Sequence, residues 1–177
     1  MSKVMLRLCG DPLLRKRSRP VRVPVSKRVR ALINDMFDTM QEEGGVGLAA
    51  PQVGQSIRLF VVHIPKEEKK IALINPRIVE RSEELSPFVE GCLSVPGLEA
   101  EIVRPKRVTV RGLTPEGKWV EITDDGLLAR AMQHEIDHLD GILFFDYLPE
   151  EEQRRIEPAL KQIAREAQRR LRAAATG

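Results

Sequence analysis

Asp124-Asp125-Gly126-Leu127-Leu128-Ala129-Arg130-Ala131-Met132-Gln133-His134-Glu135-Ile136-Asp137-His138-Leu139-Asp140-Gly141 is the stretch on which the reading of this chain turns. Two acids at its start offer N-cap oxygens and Asp140-Gly141 stops it, so a helix is predicted over 125–139. Inside it, His134-Glu135-Ile136-Asp137-His138 is an H-E-x-x-H pattern. Residues four apart share a helix face, so both imidazoles can reach one ion, with Glu135 beside them to handle protons. The competing reading is an amphipathic helix that carries two packed histidines. The pattern uses two of the chain's three histidines. The third, His63, stands alone at a strand end and reads as structural.

Upstream of this helix the chain is dense in strands. Residues 57–63 and 71–74 are apolar and β-branched, with a charged turn over 66–70 between them. Residues 78–85, 101–103, 107–112 and 118–123 alternate well enough for more strands, and Thr114-Pro115-Glu116-Gly117 makes the last two a hairpin. An earlier helix follows Ser26 as N-cap, with Val29, Leu32, Ile33, Met36, Phe37 and Met40 on one face, and ends before Gly44-Gly45. Pro149 opens a last helix with Ile156, Leu160, Ile163, Ala167 and Leu171 in a stripe. Helices at the start, late middle and end, with strands bunched between, read as α+β. No repeat or linker divides the 177 residues, so one domain over 1–177 is expected.

The composition is 42% apolar and 31% charged, which excludes a disordered or fibrous chain. No apolar run exceeds four residues, against about 20 for a membrane span. Without a secretion signal, Cys9 and Cys92 are expected to be free thiols in a reducing, cytoplasmic compartment. Formal charge is polarised: +9 over 1–30, −9 over 31–150 and +3 over 151–177. Basic ends around an acidic middle suggest a polyanionic neighbour. A transit peptide is the other reading of the Arg-rich start, but Asp11-Pro12 and the apolar stretch 4–8 look like folded sequence.

Two imidazoles leave a tetrahedral ion one protein ligand short. Phe144 occupies the position where extended zinc peptidases place a third His. Glu150, Glu151, Glu152 and Glu157 are candidates but lie in a solvated charge run. A thiolate is the remaining choice. Cys92 sits in the Gly/Pro-flanked turn Glu90-Gly91-Cys92-Leu93-Ser94-Val95-Pro96-Gly97, suited to aiming one side chain, whereas Cys9 lies in a strand-like apolar run and reads as a packed hydrophobe. A third segment, Gly44-Gly45-Val46-Gly47-Leu48-Ala49-Ala50-Pro51-Gln52, matches a dinucleotide fingerprint on paper. It fails on context, since a helix precedes it and Pro51 blocks one after it. It reads better as a loop whose glycines let a ligand approach closely, with Gln52 offering an amide donor.

Together the segments 45–52, 90–94 and 133–138 resemble, in order and spacing, the three signature motifs of the peptide deformylases. The resemblance runs from Leu8-Cys9-Gly10-Asp11-Pro12 to the last helix and is closest to the bacterial type-1 branch. It implies an α+β fold with antiparallel sheets packed around a central H-E-x-x-H helix, an N-terminal helix and a long C-terminal one. It implies metal-dependent removal of the formyl group from the N-formylmethionine of newly made polypeptides. Carried across, Cys92, His134 and His138 bind one divalent ion, Fe(2+) in the cell, with Zn(2+), Ni(2+) or Co(2+) able to replace it. Glu135 would be general acid and base, Gln52 and the Leu93 amide would hold the oxyanion, and Gly45, Val46 and Gly47 would border the substrate. Glu90 and Arg104 resemble a family pair that fixes the Cys92 turn. Arg130, one turn before His134, is expected to point outward.

The expected partners are formylmethionyl nascent peptides and, through the basic helix over 151–177, the ribosome, with no DNA and no membrane. The chain is expected to be a monomer. Two alternatives stand beside this. One is a small zinc endopeptidase that uses the same helix with a downstream Glu. The other is an RNA- or ribosome-binding protein without catalysis, which would leave the H-E-x-x-H unexplained.

Overall fold

Ser26 caps the first helix as its position predicts: its hydroxyl accepts from Val29 N at 3.2 Å, and α1 runs Lys27–Glu42. The computed structural model describes residues 4–177. After α1 come β1 (Gly47–Ala49), β2 (Leu59–Ile64), β3 (Lys69–Arg81), β4 (Leu85–Gly91), β5 (Glu99–Pro105), β6 (Val108–Leu113), β7 (Trp119–Asp124), α2 (Leu127–Leu139) and α3 (Glu150–Ala175). Five strands form an antiparallel sheet in the order β1-β2-β3-β6-β7, and β4 and β5 form a separate antiparallel pair.

The continuous apolar run of β2 is explained by burial on both faces. Phe60, Val62 and Ile64 join Met132, Ile136 and Leu139 of α2 in one cluster. Leu59 and Val61, pointing the other way, join Ile33, Met36 and Met40 of α1 in the second. The sheet is therefore sandwiched between α1 and α2, and α2 turns its remaining face toward β4 and β5. The second cluster also takes in Leu6 and Leu8 and, from α3, Ile163 and Ala167.

Four local expectations change. The strands expected over 71–74 and 78–85 are one strand, β3, with irregularities on either side of Ile78, and Leu85 belongs to β4. Between the two expected segments Asn75 takes a φ of 52°, which asparagine tolerates, and its side chain bonds both Val21 N (2.8 Å) and Val21 O (3.0 Å). The run around Cys9 is not in a strand; Cys9 opens a turn, and the segment is held by Arg7 N donating to Gln52 O at 2.7 Å and Cys9 N to Ser94 O at 2.8 Å. Helix α2 starts at Leu127 rather than 125, although Asp124 does supply the oxygen, accepting from Gly126 N and Ala129 N. Arg130 does not point outward. It is 8% exposed and fully engaged, as described below.

Candidate metal centre

Helix α2 presents His134 and His138 on one face, and β4 ends at Gly91 so that Cys92 follows immediately in the turn. The ligand atoms of Cys92, His134 and His138 lie within 4.8 Å of one another, the one such group among the described residues. Cys92 Sγ is 3.3 Å from His138 Nε2. A thiolate and two imidazoles suit a borderline first-row ion and leave one coordination position open, the arrangement of a catalytic site. Glu150, Glu151, Glu152 and Glu157 lie exposed on α3, and three of them pair with Arg154, Arg155 and Lys161 along it. They do not join the group.

His134 is oriented from behind. Its Nδ1 lies 2.8 Å from Glu90 Oε1, which leaves Nε2 for the thiolate side; a carboxylate behind a ligating imidazole is a common support for metal ligands. Glu90 is buried on β4, and Arg104 of β5 grips it through Nε (2.6 Å) and Nη2 (3.0 Å). Arg130 Nη1 adds a further bond to Glu90 Oε2 at 3.0 Å. Burial disfavours the Glu90 charge, but bonds from His134 and Arg104 outweigh it and hold the pKa at about 2. Burial likewise opposes a charge on His134, yet its bonds to Cys92 and Glu90 raise its pKa well above 6.5. His138 goes the other way, pushed well below that value by burial and by His134.

Glu135 is buried between these ligands, and desolvation lifts its pKa to about 7. Its Oε2 is buried without a hydrogen-bond partner among the described residues. Its Oε1 lies against the backbone of Gly47, where an added Cβ would come within 2.6 Å of it. That contact gives the glycine loop a steric reason. The loop folds as β1 followed by a short 3-10 turn, Ala50–Val53, rather than as irregular chain. Gln52 is locked at the end of it: Oε1 accepts from Ala49 N at 2.8 Å, and Nε2 donates to Ser94 Oγ at 3.0 Å and Cys92 Sγ at 3.5 Å. Ser94 Oγ in turn donates to Arg7 O at 2.7 Å. Gly45, Val46, Gly47 and Leu93 line the mouth of a cleft of about 740 Å³ that contains Cys92, His134 and Glu135.

Gly45, Val46, Gly47, Gln52, Cys92, Leu93, His134 and Glu135 line this cleft, His138 joins Cys92 and His134 behind it, and Glu90 and Arg104 support His134. Arg130 was missed as a site residue. Besides Glu90 it donates to Ile102 O (3.0 Å) and Ser86 O (2.6 Å), and its guanidinium lies 5.6 Å from the Phe88 ring centre. Its spacing four residues before His134 placed it on the metal face and could have revealed it. Asp137 and Tyr147 were also missed: Asp137 Oδ2 accepts from Arg104 Nη1 at 2.7 Å and from the Tyr147 hydroxyl at 2.8 Å.

The family model for polypeptide deformylase matches residues 4–154. A peptide deformylase of Halothermothrix orenii is 49% identical over 146 residues, 82% of this chain and 94% of that protein. One from Treponema pallidum is 47% identical over 159 residues, covering 90% and 94%. Among solved structures, the Legionella pneumophila peptide deformylase superposes with a TM-score of 0.85 at 42% identity, over 97% of this chain and 98% of that one. A plant peptide deformylase gives 0.89 at 36% identity, over 96% and 94%. With the motif residues gathered in one cleft and likeness of this extent in both sequence and fold, the chain belongs to the polypeptide deformylase family.

Proposed function

We propose that this chain removes the formyl group from the N-formylmethionine of newly made polypeptides, with Cys92, His134 and His138 holding one divalent ion and Glu135 moving the protons. The observation that carries the reading is the convergence of those three ligand atoms beside a buried carboxyl with one oxygen unpartnered among the described residues. When bound, the ion supplies Lewis acidity, polarising the formyl oxygen and acidifying water. Fe(2+) is proposed for the cell, and Zn(2+), Ni(2+) or Co(2+) suit the same donors.

Glu135 accepts a proton from the attacking water and delivers it to the departing amine, so formate and a free amino terminus result. A pKa near 7 before any cation binds suits a group that must both take and give a proton. The Gln52 Nε2 hydrogen directed at the Cys92 sulfur over 3.5 Å, the other being held by Ser94, and the Leu93 N–H are the donors proposed for the oxyanion. Gln52 is fixed by Ala49 and Ser94 before substrate arrives, which is what makes such a donor effective. The Gly45-Val46-Gly47 rim offers main-chain groups to an extended peptide, a mode that depends little on peptide sequence.

Residues 1–177 are proposed to act as one monomeric deformylase domain in the cytoplasm, near the ribosome. On α3, Arg154, Arg155, Lys161, Arg169 and Arg170 are matched by glutamates, so only Arg165 and Arg172 of its cations stand without an ion pair among the described residues. The activity test compares formate release from a formyl-Met tripeptide with cleavage of casein by the same metal-loaded sample. Formate release without casein cleavage is expected. Casein cleavage without formate release would return the endopeptidase reading.

A further inference from the structure

The basic amino-terminal segment is left unused by the chemistry above. Between Asp11 and Asp35 there is no acidic residue, and Lys16, Arg17, Arg19, Arg22, Lys27 and Arg28 are all exposed. None of the six has an ion pair among the described residues, in contrast to the glutamate-matched cations of α3. The segment is also held in place. Ser18 N donates to Leu139 O (2.8 Å), Arg19 N to Ser56 O (3.0 Å) and Arg58 N to Arg19 O (2.9 Å), while Asn75 clamps Val21. Ser18, Val21 and Val25 are the buried positions, so the intervening cations face solvent.

Helix α1 adds an independent observation. Its first turn holds Lys27 and Arg28 and no acid. A helix N-terminus carries a partial positive charge, so cations there cost stability rather than add to it. Folding does not account for them.

We propose that this pinned strap, Lys16 to Arg28, docks on the phosphate backbone of RNA. Four of its six cations are arginines, whose planar forks fit phosphate oxygens. At Arg19 the strap is tied to the sheet side by a single parallel bridge to Ile57, so Arg17 and Arg19 project from a fixed backbone. The choice of RNA over another polyanion rests on the proposed function, since a chain that acts on nascent polypeptides works beside a ribosome. Six unneutralised charges on a fixed strap would release counterions on contact, so binding should weaken steeply with salt.

The test titrates the full-length, metal-loaded protein into a labelled 16-base-pair RNA duplex at several KCl concentrations and reads fluorescence anisotropy. Replacing Lys16, Arg17, Arg19 and Arg22 by Ser should weaken binding at least tenfold at low salt and lower the log Kd–log salt slope by about 3. Arg165→Ser with Arg172→Ser should change it by less than threefold. Lys27→Ser with Arg28→Ser should weaken RNA binding severalfold while raising Tm, a pair of signs that damage to the fold cannot produce. The proposal is overturned if wild type fails to bind, if the strap variant binds like wild type, or if the α3 variant loses more. Tighter binding to anionic vesicles than to RNA would overturn it too. Formyl-Met peptide turnover by the strap variant should stay within twofold of wild type. Absence of that turnover in wild type would instead sink the deformylase reading.

Discussion

Glu90 accepts from His134, Arg104 and Arg130 at once, so one carboxylate bonds two buried guanidiniums, one of them shared with Asp137, and orients an imidazole. Glu90→Gln leaves those cations under-compensated, and breaking a buried charge cluster in this way costs about 3–5 kcal/mol. Denaturant unfolding of the metal-free variant should show that loss, and chelator competition should show metal bound about 10–100-fold more weakly. Unchanged metal affinity would leave Glu90 with no part in holding His134. Cys92, His134, Glu135 and His138 were legible in the sequence because helical spacing and scarce residue types mark them. Arg130 was not read correctly, since a charged side chain on a helix is ordinarily solvated and its partners Ser86, Glu90 and Ile102 are distant in sequence. Only the face it shares with His134 signalled otherwise.

At the scale of elements, the helices and the β6–β7 hairpin followed from periodicity and turn residues, whereas β4 did not. Its outward positions Leu85 and Val89 are 59% and 53% exposed, while its inward positions include Ser86 and Glu90. The usual alternation is inverted because the inner face serves a polar cluster rather than an apolar core. Long-range docking was equally invisible. Gly10 has a φ of +101°, and a Cβ there would come within 2.6 Å of the Ala164 backbone on α3. Gly10→Ala therefore combines left-handed strain with overpacking and should cost about 2–4 kcal/mol in urea unfolding. Gly117→Ala is the matched control: its φ is +84° with open space around it, so strain alone should cost about 1 kcal/mol. Equal losses would mean that α3 does not press on the amino-terminal segment.

For the whole molecule, the depressed pKa of Glu90 links stability to acid. The group is held at about 2 against an ordinary 4.5, so its contribution is complete above pH 4.5 and is lost as pH falls toward 2. The metal-free protein should lose about 3 kcal/mol over that window, and Glu90→Gln should remove that part of the slope. An identical acid profile in the variant would contradict the assignment. Cys92 is proposed for the metal site and Glu135 for the chemistry, and metal stoichiometry and formyl-Met peptide turnover, measured together on wild type, Cys92→Ala and Glu135→Gln, check both. About one ion per chain is expected in wild type and in Glu135→Gln, with turnover in the latter down at least about 10²-fold. Cys92→Ala should lose both ion and turnover. Full metal occupancy and turnover in Cys92→Ala, or near-normal turnover in Glu135→Gln, would contradict these roles.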